Sequence, residues 1–233
     1  MKRIAIITAY TDKINWDNYG KCDYGDLASI NHIAYANKHG YTYIKEIVTS
    51  EEDGWHPTWI KISILRKYLE DFDYIVWIDA DAIFYNQDIK IEDLVEGEVD
   101  LVIPKMEEDR NSNKVWTHTT TGFMVWRNSA WSSSILQHIQ QEPGPWKTAY
   151  FHEQTRLDEI LVPFFELAGG SNVLNKEKED LENPIILDKI KVLPYAYHRI
   201  WEDGKIDYVY HAGGNTHTKL ERIQKMLDQS NAR

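Results

Sequence analysis

Five segments in strict alternation constrain this chain more than any other feature. "RIAIITAY" (3–10) is an unbroken apolar run bounded by polar residues, which predicts a strand buried on both faces. "LASINHIAYANKHG" (27–40) follows after a long polar loop, with Leu27, Ile30, Ile33 and Ala34 at helical spacing and Gly40 placed to stop the helix. "YTYIKEIV" (41–48) alternates as a strand should. "PTWIKISILRKYLEDF" (57–72) opens with Pro57 at a first helical position, and Ile60, Ile64, Leu65, Tyr68 and Leu69 form its predicted buried stripe. That helix delivers the chain into "YIVWI" (74–78). Strand, helix, strand, helix, strand at these lengths predicts an α/β fold, a mostly parallel central sheet flanked by helices.

Further strands are predicted at 100–105, 121–127, 190–194 and 207–211. Helices are predicted at 129–141, at 152–166 with an interruption near Pro163, and at 218–229. No repeat, low-complexity tract or linker divides the chain, so residues 1–233 are read as a single domain. A net charge of −11 with no stripe of Lys and Arg argues against a nucleic-acid partner. Cys22 is the one cysteine, so no internal disulfide can form, which fits a reducing compartment. The opening "MKRIAIITAY" is too short an apolar run for a signal peptide, and no stretch approaches the roughly 20 apolar residues of a membrane span. The expectation is a soluble, cytoplasmic protein. Nine Trp and 14 Tyr exceed what the core needs, and aromatic faces in a groove are a common way to hold sugars.

The strand at 74–78 ends in Asp79-Ala80-Asp81, at the carboxyl edge where sheets of this kind bind ligands. Two carboxylates so close repel each other unless a cation lies between them. Mn²⁺ or Mg²⁺ held by one or two carboxylates usually keeps positions open for phosphate oxygens, so the pair suggests a diphosphate held by a metal. The plainer alternative is that Asp79 caps a turn and Asp81 is solvated.

"YIVWIDADAIFYN" (74–86) resembles the D-x-D strand of GT-A glycosyltransferases. The nearest resemblance is to glycosyltransferase family 34, the family of plant xyloglucan xylosyltransferases and fungal α-galactosyl- and α-mannosyltransferases. "YANKHGY" (35–41), "WIKISILRKYL" (59–69), "TTGFMVWRNSAWSSSIL" (120–136), "HEQTRL" (152–157) and "VYHAGG" (209–214) match in the same order. The resemblance implies a GT-A, Rossmann-like fold and a metal-dependent, retaining transfer of a hexose, pentose or deoxyhexose. The donor would be a UDP- or GDP-sugar and the acceptor a glycan hydroxyl.

It also implies roles. Asp79 would face the donor ribose and the metal, with Ala80 beside the donor. Asp81 and His211 would complete the metal's ligands, an oxygen and nitrogen set that suits Mn²⁺ better than Ca²⁺. Gly213 and Gly214 would let backbone approach a phosphate, and Lys219 or His217 would neutralise the leaving diphosphate. Glu153 and Gln154 would lie beneath the sugar ring as the catalytic pair; His152 stands where the family has a second acid. Gly122, Arg127 and Asn128 would shape the pocket, while Trp126 and Trp131 fit core packing equally well. Thr8, Ala9 and Tyr10 would meet the nucleotide base, Tyr10 by stacking.

Two other classes share parts of this pattern. Haloacid-dehalogenase-like phosphatases carry D-x-D at a strand end, though normally on the first strand and continuing into Gly-Thr. A non-catalytic sugar-binding module would also use metal and aromatics. Without an anchor, the resemblance points to a bacterial or viral enzyme; sugar, acceptor, linkage and oligomeric state are left open.

Overall fold

The computed structural model describes residues 2–11, 23–48, 56–97, 99–105, 119–147, 152–167, 185–199, 206–213 and 216–232. The first half runs β1 (Ile4–Thr11), α1 (Asp23–His39), β2 (Thr42–Val48), α2 (Ile60–Tyr68), β3 (Tyr74–Ile78), β4 (Ala82–Phe84), α3 (Ile91–Leu94) and β5 (Leu101–Pro104). The second runs β6 (Phe123–Arg127), α4 (Ala130–Gln141), α5 (His152–Leu167), β7 (Ile185–Leu187), β8 (Ile190–Leu193), β9 (His198–Arg199), β10 (Val209–His211) and α6 (Thr216–Asn231). A seven-stranded sheet has the order β2-β1-β3-β6-β5-β8-β7, and a three-stranded sheet the order β4-β10-β9.

The alternation in the first half yields the parallel trio β2-β1-β3, whose strands are joined by helical crossovers. β6 then runs antiparallel to both β3 and β5, and β7 antiparallel to β8, so the large sheet is mixed. Side chains alternate across it with period two. Ala5, Ile7, Ile75 and Trp77 join Trp59, Ile62 and Leu65 of the α2 side, while Ile4, Ile6, Tyr74, Val76 and Ile78 join Tyr35 and Ala36 of α1 on the opposite face. α5 continues unbroken through Pro163 to Leu167. No helix among the described residues is long and apolar enough to cross a membrane.

The stripe predicted for α1 is corrected. Ile30 and Ile33 are exposed, at 67% and 42%, and Ala34 is exposed too; the buried face is Gly25, Ala28, Ser29, Asn31, His32, Tyr35 and Ala36. The reason is hydrogen bonding. β4 borders α1 with a backbone edge that needs partners: Asn31 donates to Phe84 O (3.1 Å) and accepts from Phe84 N (2.8 Å), and the His32 imidazole Nε2 meets Ala82 O at 2.8 Å. A buried amide left unpaired costs more than the burial of an isoleucine returns, so the polar face turns inward.

The chain changes sheets directly after β3. Ala82 N bonds back to Asp79 O (3.0 Å), a tight turn that carries Asp79 to Asp81 out of the large sheet and into β4 of the small one. β10 pairs antiparallel with β4, His211 opposite Ala82, and Ala212 N bonds to Asp81 O (2.8 Å). The junction of the two sheets is thus where a late histidine meets the aspartate pair.

Candidate active site

Turn and register together bring Asp79, Asp81 and His211 into one cluster. One potential ligand atom of each lies within 4.8 Å of the other two. His211 Nε2 is 2.9 Å from Asp81 Oδ1 and 3.9 Å from Asp79 Oδ2. The aspartates converge because a turn folds them together, rather than because alternate strand residues share a face. Asp79 is steadied from within its own strand, where Trp77 Nε1 donates to its Oδ1 at 2.6 Å. Two carboxylates and one imidazole in this spacing could hold a divalent cation.

A second set of side chains closes beneath Asp79. Lys61 of α2 is only 4% exposed, and its Nζ lies 3.1 Å from Asp79 Oδ1, 3.0 Å from Glu153 Oε1 and 3.1 Å from both oxygens of Thr121. Burial alone would drive its proton off, but the carboxylates of Asp79 and Glu153 outweigh that and hold the ammonium above its usual range. Glu153 is 3% exposed; its Oε1 also accepts from Thr121 Oγ1 (3.1 Å), while its buried Oε2 has no hydrogen-bond partner among the described residues. Gln154 Oε1 accepts from Thr121 N (3.0 Å), so the carbonyl assigned from sequence to the sugar already serves the backbone. His152, just before them, sits at φ +43° and stacks on His56 at 3.7 Å and 9°, joining the start of α5 to the turn that opens α2. His56 Nδ1 in turn accepts from Thr58 N, capping that turn.

Sequence reading missed Lys61. The signal was present: the lysine lies three and four residues before Ile64 and Leu65, on the helix face expected to be buried. A charge on that face needs a buried partner.

Asp81 has a lysine of its own. Lys219, from the first turns of α6, bonds Asp81 Oδ2 and lies 5.4 Å from the centre of the Tyr24 ring. Burial would raise the Asp81 carboxyl, but Lys219 and His211 overcome it and hold the group far below the usual carboxylate range. Ala80, between the two aspartates, is 7% exposed. Gly122 accepts from Asp79 N through its carbonyl (2.9 Å), and a Cβ there would stand 2.7 Å from both His198 Nε2 and His211 Nδ1. It permits close approach of two imidazoles rather than lining open space. His198 is fully buried, neither ring nitrogen has a partner among the described residues, and burial keeps it neutral by pushing its pKa well below the ordinary value.

At the neighbouring edge, Ile7 pairs with Trp77, so Thr8, Ala9 and Tyr10 continue on the carboxyl side beside Asp79. Thr8 is fully buried, and Ala9 packs against the core. The Tyr10 ring lies where a Cβ on Gly25 would be 2.8 Å away, its hydroxyl bonds Asp26, and Lys45 Nζ stands 5.7 Å from the ring centre. Gly213 N bonds His211 O (2.9 Å), and its own carbonyl accepts from Arg222. Gly214 and the His217 side chain lie outside the described residues. Arg127 and Asn128 stand apart from the aspartates: β6 runs against β3, Arg127 pairs with Tyr74 at the far end, and its guanidinium is held by Asp100. Five strand residues separate them from the aspartates, about 16 Å. Trp126 is fully buried and stacked near Trp131, in the core.

Residues 2–102 match the galactosyl transferase GMA12/MNN10 family. Xyloglucan 6-xylosyltransferase 1 of Arabidopsis thaliana is 28% identical over 140 residues, which cover 58% of this chain and 29% of that protein. The chain thus spans less than a third of the length of that curated relative. In fold, it resembles the crystal structure of a glycosyltransferase involved in the glycosylation of the major capsid of PBCV-1, with a TM-score of 0.65 and 14% identity, covering 96% of this chain and 99% of the other. The aspartate pair lies inside the residues that match the galactosyl transferase GMA12/MNN10 family, and the fold around it resembles that of a solved glycosyltransferase.

Proposed function

We propose that this chain is a metal-dependent glycosyltransferase that moves a sugar from a UDP- or GDP-sugar to a glycan hydroxyl with retention of anomeric configuration. The observation that carries the reading is the convergence of Asp79, Asp81 and His211 at the sheet junction, within reach of a buried carboxylate, Glu153, that a lysine holds in place. Asp79, Asp81 and His211 would hold Mn²⁺ or Mg²⁺, which supplies positive charge to offset the leaving diphosphate. Thr8, Ala9 and Tyr10 would meet the base, Gly213 and Gly214 the phosphates, and Lys219 the diphosphate as it departs.

Glu153 bears on the route. Its Oε1 is saturated by Lys61 and Thr121, so only Oε2 remains to act on a sugar. A carboxylate bonded to an ammonium is a poor nucleophile and a well-fixed negative charge. This supports attack from the face the diphosphate leaves: the acceptor oxygen bonds the anomeric carbon as the carbon–diphosphate bond breaks, and the hydroxyl proton passes to the departing oxygen. Glu153 would stabilise the oxocarbenium-like charge that develops on the sugar as the carbon–diphosphate bond breaks.

A screen of UDP- and GDP-sugars, read as nucleotide release with Mn²⁺ and with chelator, tests the reading. Release from one or more donors that stops in EDTA and returns with metal is expected. Release unaffected by EDTA overturns the metal reading, and glycan binding without hydrolysis or transfer of any donor favours a sugar-binding module.

A further inference from the structure

The small sheet carries a second histidine that the proposed cation site does not use. His198 of β9 pairs with Val209 of β10, so its side chain shares a face with Val209 and, two residues on, with His211. The two imidazole centroids stand 5.0 Å apart at an interplanar angle of 71°, about the separation an N–H···N bond of ordinary length would give. Both rings lie over Gly122. A Cβ there would be 2.7 Å from His198 Nε2 and 2.7 Å from His211 Nδ1, so these two nitrogens are no more than twice that distance apart. Neither has a hydrogen-bond partner among the described residues. His198 is fully buried, which favours the uncharged ring, with one donor and one acceptor nitrogen. Two buried polar atoms left unpaired are costly, and a single bond between them removes both costs.

The needs of His211 fix the direction of that bond. Its Nε2 faces Asp81 Oδ1 at 2.9 Å, so Nε2 is the nitrogen turned toward the cluster. A ring that ligates through Nε2 carries its proton on Nδ1, and that N–H requires an acceptor. We propose that His198 is the positioning residue for His211: His198 Nε2 accepts a hydrogen bond from His211 Nδ1–H, and the bond holds the His211 ring with its Nε2 lone pair toward the cation site. The inference rests on the reading of Asp79, Asp81 and His211 as cation ligands. His198 itself touches neither cation nor substrate and acts through His211. Glycine at position 122 is what lets the two rings approach each other over the backbone.

The experiment combines NMR of the protein labelled with ¹⁵N-histidine, without cation and with Mg²⁺, and calorimetric titration of Mn²⁺ into wild type, His198→Gln and His198→Phe. In the wild type, His211 Nδ1 should bear a proton and show a ¹⁵N–¹⁵N coupling across the bond to a His198 Nε2 that bears none. His198→Phe keeps a buried ring but offers no acceptor, and should bind Mn²⁺ roughly 10- to 100-fold more weakly, the scale of a lost partner behind a metal ligand. His198→Gln restores an acceptor in place of Nε2 and should recover most of that loss. A proton on His198 Nε2 in the wild type, or no coupling between the two nitrogens, overturns the proposal whatever the variants do. Mn²⁺ affinity unchanged in His198→Phe, or lost equally in both variants, also overturns it, the second result being the mark of a packing role. An intact coupling in a wild type that binds no Mn²⁺ overturns the cation reading and leaves the imidazole pair standing.

Discussion

The pocket around Lys61 and the pocket around Lys219 use the same pair of charges to opposite ends. Lys61 is locked between α2, Thr121 and α5, and it ties Asp79 to Glu153 with every bond internal. Lys219 reaches Asp81 from a helix that follows the last strand, on the side where β4 and β10 make a small sheet of three short strands. The first lysine belongs to the architecture, since its removal leaves two carboxylates facing each other in a buried space. The second meets a carboxylate that retains His211 without it. A buried ion pair is hard to lose when removing one partner leaves a buried charge uncompensated.

Lys61→Met tests the closed pocket and carries the largest expected effect. Breaking one side of a buried pair should cost about 3–5 kcal/mol, read as the loss in urea unfolding free energy. A loss under about 1 kcal/mol would mean that Asp79 and Glu153 have other means of neutralisation. Glu153→Gln tests the same pocket through chemistry. Lys61 keeps Asp79 and Thr121, so the fold should survive while turnover of the active donor falls roughly 10²- to 10³-fold, the scale of one lost electrostatic contact. Complete abolition together with a glycosylated Glu153 peptide in the wild type would instead establish a covalent route.

The open pocket is anchored by His32, whose Nε2 holds Ala82 O, next to Asp81. Burial lowers its pKa from 6.5 to about 4, so as pH falls the unfolded chain takes up this proton before the folded one does. The contribution is complete above about pH 6.5 and erodes down to about pH 4, by roughly 3 kcal/mol in all. Unfolding free energies of wild type and His32→Gln across that window should diverge in slope by this amount; parallel curves would contradict the assignment. The smallest effect is expected for Lys219→Met, whose unfolding free energy should drop by about 1.5 kcal/mol. A loss as large as that of Lys61→Met would erase the distinction between the two pockets.

Much of this was legible from residues alone. The β1-α1-β2-α2-β3 order announces itself because each strand is an unbroken or alternating apolar run and each helix is bounded by glycine or proline. The D-x-D motif and the histidine before "AGG" are visible because their residue types carry chemistry. What stayed hidden depended on partners distant in sequence. α1 and α2 look equally amphipathic, yet α2 packs its apolar stripe on a sheet face, whereas α1 must satisfy the open edge of β4 and so turns Asn31 and His32 inward and its isoleucines out. β4, β7 and β9 are two or three residues long, too short to carry a period. The antiparallel course of β6, which places Arg127 opposite Tyr74 and away from the aspartates, leaves no mark on its own sequence.

Asp79, Asp81 and His211 are proposed to bind a divalent cation and, through it, a nucleoside diphosphate. Calorimetric titration of the wild-type chain with UDP and with GDP, in Mn²⁺ and in EDTA, tests it most directly. Binding of one of the two nucleotides should be at least about tenfold tighter with Mn²⁺, and that difference should be lost in a folded Asp81→Asn variant. Binding of equal strength in Mn²⁺ and EDTA, or a metal effect that persists undiminished in Asp81→Asn, would contradict it.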